Sequence, residues 1–183
     1  MSMTYTGIIP EIRYKAVRVT PTITGVQYSN NDILFDTTEI PKAVKYAGGG
    51  SKLVNMTIAS KSTSLFDCIF YFWQVNQSMG TVNATKSISD ATMAAGKCLG
   101  TVYMDADNLQ NNYSNGRIYS INQGYSGFTG ATKTYPQLPI VLQAETGSTS
   151  VYVTAIIQSE DGSGNVTPSF SVGDIELIFG LEL

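Results

Sequence analysis

The chain has 183 residues, 43% of them hydrophobic, 14% charged and 10% aromatic, which is enough apolar material for one sizeable core. Eleven Lys and Arg against 14 Asp and Glu leave a net charge of -3, so the chain as a whole lacks the basic footprint of a nucleic-acid binder or of a protein held on an anionic membrane. Histidine is absent, which excludes histidine metal sites and His-based triads and removes the commonest general base.

The N-terminal stretch MSMTYTGIIPEIRYK has no basic segment followed by an apolar one, and no window approaches about 18 apolar residues. Neither signal peptide nor membrane span is expected, and neither nucleic acid nor membrane is expected as a partner. Residues 1–61 carry seven basic and four acidic side chains, a local charge of +3 against -6 for the rest. That basic end either faces an acidic neighbour or is scatter of solvated lysines.

In chain order, residues 1–10 read as an arm and 11–183 as a single domain. In EIRYKAVRVT, Ile12, Tyr14 and Ala16 occupy even positions, then Val17 and Val19 odd ones. A bulge between Ala16 and Val17 is therefore expected, and Pro21 removes a ladder donor, so residues 8–25 read as an edge or corner strand. A short strand follows near Ile33 to Phe35, then a longer one from Lys52 to Ser60. LFDCIFYFWQV, Leu65 to Val75, is apolar on both faces. It reads as a strand covered on both sides, or covered by core on one side and a partner subunit on the other.

SDATMAAG predicts a short helix, N-capped by Ser89 and closed by Gly96. Strands are then expected at Cys98–Met104, Arg117–Ile121, Pro139–Ala144 and Ser150–Ser159. The C-terminus is the clearest of all, with Ile175, Leu177, Phe179, Leu181 and Leu183 on one side of a strand. Eight or nine short strands with Gly, Asn and Ser connections predict an all-β fold, a jelly-roll-like antiparallel sandwich with one short helix.

Chemistry is harder to find. No P-loop, dinucleotide fingerprint or nucleophile elbow is present, and AGGGS is a flexible loop because it opens no helix. Cys68 and Cys98 make no metal-ligand spacing and read as free thiols. DADN (Asp105, Asp107, Asn108) and EDGSGN (Glu160, Asp161, Asn165) offer oxygens but do not complete a calcium loop. No cofactor, metal or catalytic residue is assigned, and no enzyme is expected. Asn108 to Pro139 is rich in Tyr, Gly, Asn, Ser and Gln. Its Tyr113, Tyr119, Tyr125, Phe128 and Tyr135 form either a recognition surface or a loop whose rings pack down onto the sandwich.

Several segments resemble small β-rich virion proteins of tailed bacteriophages: KAVRVTPTITGVQYSNNDIL, GGGSKLVNMTIASKS, FDCIFYFWQ, ISDATMAAGKCLGTVYM, VYVTAIIQ and DIELIFGLEL. The resemblance spans nearly the whole chain, with a Tyr/Gly-rich middle longer than the family pattern. It implies a jelly-roll domain that decorates or cements a phage head, commonly as a homotrimer, with the major capsid protein or another virion protein as partner. It further implies that Tyr5, Ile8, Ile9, Arg13, Lys15 and Arg18 form a basic arm reaching an acidic shell or the adjacent protomer. The implied location is the virion, after synthesis in the host cytoplasm. Two alternatives stay open: a tail, baseplate or head-fibre component, and a carbohydrate-binding module that grips sugar with the Tyr-rich segment.

Overall fold

The computed structural model describes residues 13–106, 109–113, 115–122, 124–126, 135–158 and 167–183, with 109–113, 124–126 and 135–137 as backbone. The strands are β1 (Tyr14–Val19), β2 (Ile33–Ile40), β3 (Gly50–Ser60), β4 (Cys68–Trp73), β5 (Cys98–Met104), β6 (Leu109–Tyr113), β7 (Gly116–Ile121), β8 (Gly124–Ser126), β9 (Tyr135–Leu138), β10 (Ile140–Gln143), β11 (Val151–Ile157) and β12 (Ile175–Glu182). Among the described residues there is one helix, α1 (Asp90–Gly96), between β4 and β5. Period-two alternation becomes strand wherever one face is buried: in β12, Ile175, Leu177, Phe179 and Leu181 are buried and their neighbours half-buried. Strands β6, β8 and β9 fall in the segment that composition marks as loop. Pairing there is carried by backbone groups that Asn, Gln and Gly supply as well as any residue, so side-chain alternation does not announce it.

One sheet runs β1-β12-β3-β7-β6, with β10 also on β3; a second runs β2-β11-β4-β5; β8 and β9 form a separate pair. The pairings are nested: β1 with β12, β2 with β11, β3 with β7 and β10, β4 with β5, all antiparallel. One long hairpin has been rolled into two facing sheets, and this is the jelly-roll arrangement of an all-β sandwich. The core lies between the sheets, where Val17, Leu53, Ile58, Phe70, Phe72, Val153, Leu177 and Phe179 belong to one continuous cluster.

Among the described residues β1 is an edge strand, as its Pro-terminated sequence predicts, but the expected bulge is not there. Its register with β12 is unbroken from Tyr14 opposite Glu182 to Val19 opposite Leu177. Val17 is buried, while Tyr14 and Ala16 point outward and are exposed. The apolar even positions misled because an edge strand can leave a Tyr and an Ala on its solvent side. A switch of this kind occurs instead in β3, where Gly180 faces Asn55 and Leu181 faces Leu53, leaving Val54 without an opposite. Inward positions switch there from Ser51 and Leu53 to Met56, Ile58 and Ser60. At that point β3 also changes neighbour, from β10 over Gly50–Leu53 to β7 over Met56–Ser60.

The two-sided apolar strand β4 is covered on both faces by its own chain. Cys68, Phe70 and Phe72 face the core. On the outer side, Trp73, Ile33 and Ile156 pack with Met79, and Ile69, Tyr71, Ile88 and Met93 complete a second small core. No partner subunit is needed for this strand. Helix α1 is part of the cover: Ser89 caps it, its hydroxyl accepting from the Thr92 N–H at 3.2 Å. Closure falls to Lys97, in the left-handed region at φ 50, and not to Gly96. Gly96 serves packing instead, since a Cβ there would lie 2.7 Å from Cε3 of Trp73.

Candidate functional site

The outward face of the first sheet is built from rows that the registers align. Tyr14, Glu182, Lys52 and Val141 form one row across four strands. Tyr14 is 71% and Val141 66% exposed, with the Lys52 ammonium 3.5 Å from the Glu182 carboxylate between them. Ala16, Gly180 and Asn55 form a second row, and Arg18, Ile178, Thr57 and Ser120 a third. Small side chains keep this face flat: a Cβ on Gly180 would sit 3.1 Å from that of Asn55. Asn55 is in turn tied to the Asn122 side chain.

Strand β1 borders this face, and among the described residues no strand pairs with its outer edge. Its three predicted contact residues are placed differently. Arg18 is exposed and reaches Glu176 at 2.9 Å. Lys15 is half-buried and donates to the Lys42 carbonyl at 3.0 Å. Arg13 is exposed and its carbonyl accepts from the Leu183 N–H at 2.9 Å, which ties the start of β1 to the end of the chain. A cleft of about 680 Å³ opens at the far end of the same face, lined by Thr20, Lys61, Asn115, Arg117, Asp174 and Glu176 among others. Its charges are largely engaged: Glu176 with Arg18, Asp174 with the Ser171 N–H at 2.7 Å, Arg117 with the Thr63 carbonyl at 2.6 Å.

Of the remaining predicted contact residues, Tyr5, Ile8, Ile9 and Phe128 lie outside the described residues. Tyr113, Tyr125 and Tyr135 lie on β6, β8 and β9, where the backbone alone is described. Tyr119 is corrected: it is a core residue and presents no surface. It is fully buried and edge-on to Phe66 at 5.2 Å, its hydroxyl 3.5 Å from the Ser64 carbonyl. Burial pushes its phenol up to about 12, against a smaller downward pull from the Arg117 charge.

The covered sheet carries a groove that the linear sequence does not reveal. Tyr71 from β4 meets Lys86, Ser87, Ile88, Ser89 and Met93 of the covering segment around a space of about 420 Å³. Tyr71 stacks on Trp73, ring centroids 5.8 Å apart and planes 12° apart. Burial raises the Tyr71 phenol, and the neighbouring Cys98 adds to the effect. The Lys86 ammonium donates to Oε1 of Gln158 at 3.3 Å, and burial lowers its pKa. The one legible signal was the outward row of Ile69, Tyr71 and Trp73, but its partners lie across a connection with no periodicity.

Among the described residues no group of three or more His, Cys, Asp or Glu is placed to hold a metal ion, and no helix is long and apolar enough to cross a membrane. Cys68 and Cys98 are both free. Cys68 is fully buried in the core, and burial raises its thiol well above its ordinary value.

No protein-family model matches the chain, and no curated protein matches it either. Among solved structures it is weakly similar to the crystal structure of the infectious bursal disease virus VP2 subviral particle. The identity is 11% and the TM-score 0.25, over 94% of this chain and 41% of that one. The chain thus spans less than half the length of that capsid protein's chain, and a likeness this slight carries no argument.

Proposed function

We propose that this chain is a structural protein of a virus particle, a decoration or cement protein that binds the outside of a phage head and stabilises it as a symmetric trimer. The observation that carries the reading is the inequality of the two outward faces. The β2-β11-β4-β5 sheet is roofed by the chain's own residues 74–97. The β1-β12-β3-β7 sheet presents rows of small, polar and charged side chains with the large apolar Tyr14 and Val141 exposed among them, bordered by an edge strand with Tyr14, Ala16 and Arg18 exposed. Exposed edges invite pairing with another chain, and Tyr and Arg are the side chains that most often anchor such contacts. β1 begins at Tyr14, with residues 11–13 between it and the segment 1–10 that is expected to act as the arm. The phage-protein resemblance supports the same assignment, with the major capsid protein or another virion protein as partner.

The test is particle occupancy by a protein lacking residues 1–10. The truncated protein should keep its unfolding midpoint and fail to decorate particles; undiminished occupancy overturns the arm. Electron microscopy of decorated particles separates a head from a tail, baseplate or head-fibre position. Light scattering tests the trimer, which at 19.7 kDa per chain weighs about 59 kDa.

A further inference from the structure

We propose that the groove between β4 and residues 86–93 binds a saccharide that carries a carboxylate, a uronic acid being the simplest case. This stands apart from the virion reading and from the Tyr-rich segment, because it uses neither the open sheet face nor residues 108–139.

Four features of the groove point to that chemistry. Tyr71 is half-buried and held flat, one face against the fully buried Trp73. An aromatic ring fixed in this way gives the apolar C–H face of a sugar a surface to stack on at little entropic cost. Ile88 and Met93 supply apolar walls. Ser87 lines the space with a hydroxyl that has no hydrogen bond among the described residues, matching the donor and acceptor pattern of sugar hydroxyls.

The charge is the fourth feature. Lys86 is half-buried, and its ammonium meets a neutral amide oxygen at 3.3 Å and no carboxylate among the described residues. A partly desolvated cation with a neutral acceptor gains most from an incoming carboxylate. The larger cleft on the open face is a different environment, where Glu176 pairs with Arg18, Asp174 accepts from the Ser171 N–H and Arg117 donates to the Thr63 carbonyl. At about 420 Å³ the groove is of small-molecule size, for which the usual range is about 300–1,000 Å³.

The experiment is a titration of the full chain with glucuronate, using glucose and acetate as controls. It is read by the methyl signals of Ile88 and Met93 and by the fluorescence of Trp73, the chain's one tryptophan. Glucuronate should give saturable shifts at these reporters in the millimolar range, with glucose about tenfold weaker and acetate weaker still. Lys86→Gln should reduce glucuronate to the level of glucose, while Lys86→Arg should keep the preference, both with an unchanged unfolding midpoint. Still reporters at about 100 mM glucuronate overturn the proposal. So does an acetate response equal to that of glucuronate, or binding undiminished in a folded Lys86→Gln protein.

Discussion

Phe72 of β4 and Phe179 of β12 meet edge to face in the middle of the sandwich, ring centroids 6.1 Å apart and planes at 83°. They come from opposite sheets and both are fully buried, so this contact is part of what clamps the two layers together. A second aromatic series runs beside it: Phe66 meets Phe170 at 5.1 Å and Tyr119 at 5.2 Å, and Phe170 meets Tyr28 at 5.8 Å. Phe179→Ala should therefore destabilise the fold by about 3–5 kcal/mol, with Phe179→Leu costing less, because the cavity it leaves is smaller. Urea denaturation measures both, and an unmoved midpoint for the alanine variant contradicts the packing.

Gly96 is held to glycine by a side chain and not by its backbone dihedrals. A Cβ would lie 2.7 Å from Cε3 and 3.1 Å from Cζ3 of Trp73. Alanine is the better helix former, so propensity alone predicts a gain from Gly96→Ala. Overpacking predicts the reverse, a loss of about 1–3 kcal/mol, with a shifted emission maximum as the indole is displaced. Stability and fluorescence together decide between the two effects.

Tyr119 makes stability depend on pH at the alkaline end. Its folded pKa is raised to about 12 from an ordinary value near 10, so the neutral phenol is favoured in the folded state. That contribution is complete below about pH 10 and is lost as pH rises toward 12, because the unfolded chain releases the proton first. Tyr119→Phe should lose little at neutral pH, since the hydroxyl's partner, the Ser64 carbonyl, is a distant 3.5 Å away. The variant should unfold less steeply than the parent between about pH 10 and 12, and parallel alkaline unfolding curves would count against this assignment.

Tyr14 and Arg18 separate stability from binding. Tyr14 is 71% exposed, and the Arg18–Glu176 pair has side chains 63% and 40% exposed, so Tyr14→Ser and Arg18→Ala should each cost no more than about 1 kcal/mol of stability. If the open face is the docking surface, the same substitutions weaken particle binding at least about fivefold. Occupancy measured against the unfolding midpoint tests this directly, and unweakened binding by both variants moves the docking surface elsewhere.

Much of the fold was legible in the residues, for a physical reason. Whether a strand has one buried face is a local property, written in a period of two, so β12 stands out from the sequence alone, while β3, β5 and β11 are marked by runs of strand-forming residues between turn-rich connections. A helix start is equally local, and Ser89 marks α1 without help from the rest of the chain. The class, an all-β sandwich with one short helix, follows from these signals, as does the lack of histidine chemistry.

Tertiary structure decided what depends on distant neighbours. The parity switch read into β1 was an edge strand leaving Tyr14 and Ala16 to solvent, while a bulge at Val54 arises where β3 exchanges β10 for β7. No local signal states which strand lies alongside, because backbone hydrogen bonds are alike for any pair. The residues left Tyr119 open between a recognition surface and a ring packed down onto the sandwich, and its contact with Phe66 in the core decides for the second. The outer face of β4 announced that something covers it, yet only the folded chain shows that residues 74–97 do so, and that in doing so they bring Lys86 and Ser87 to Tyr71.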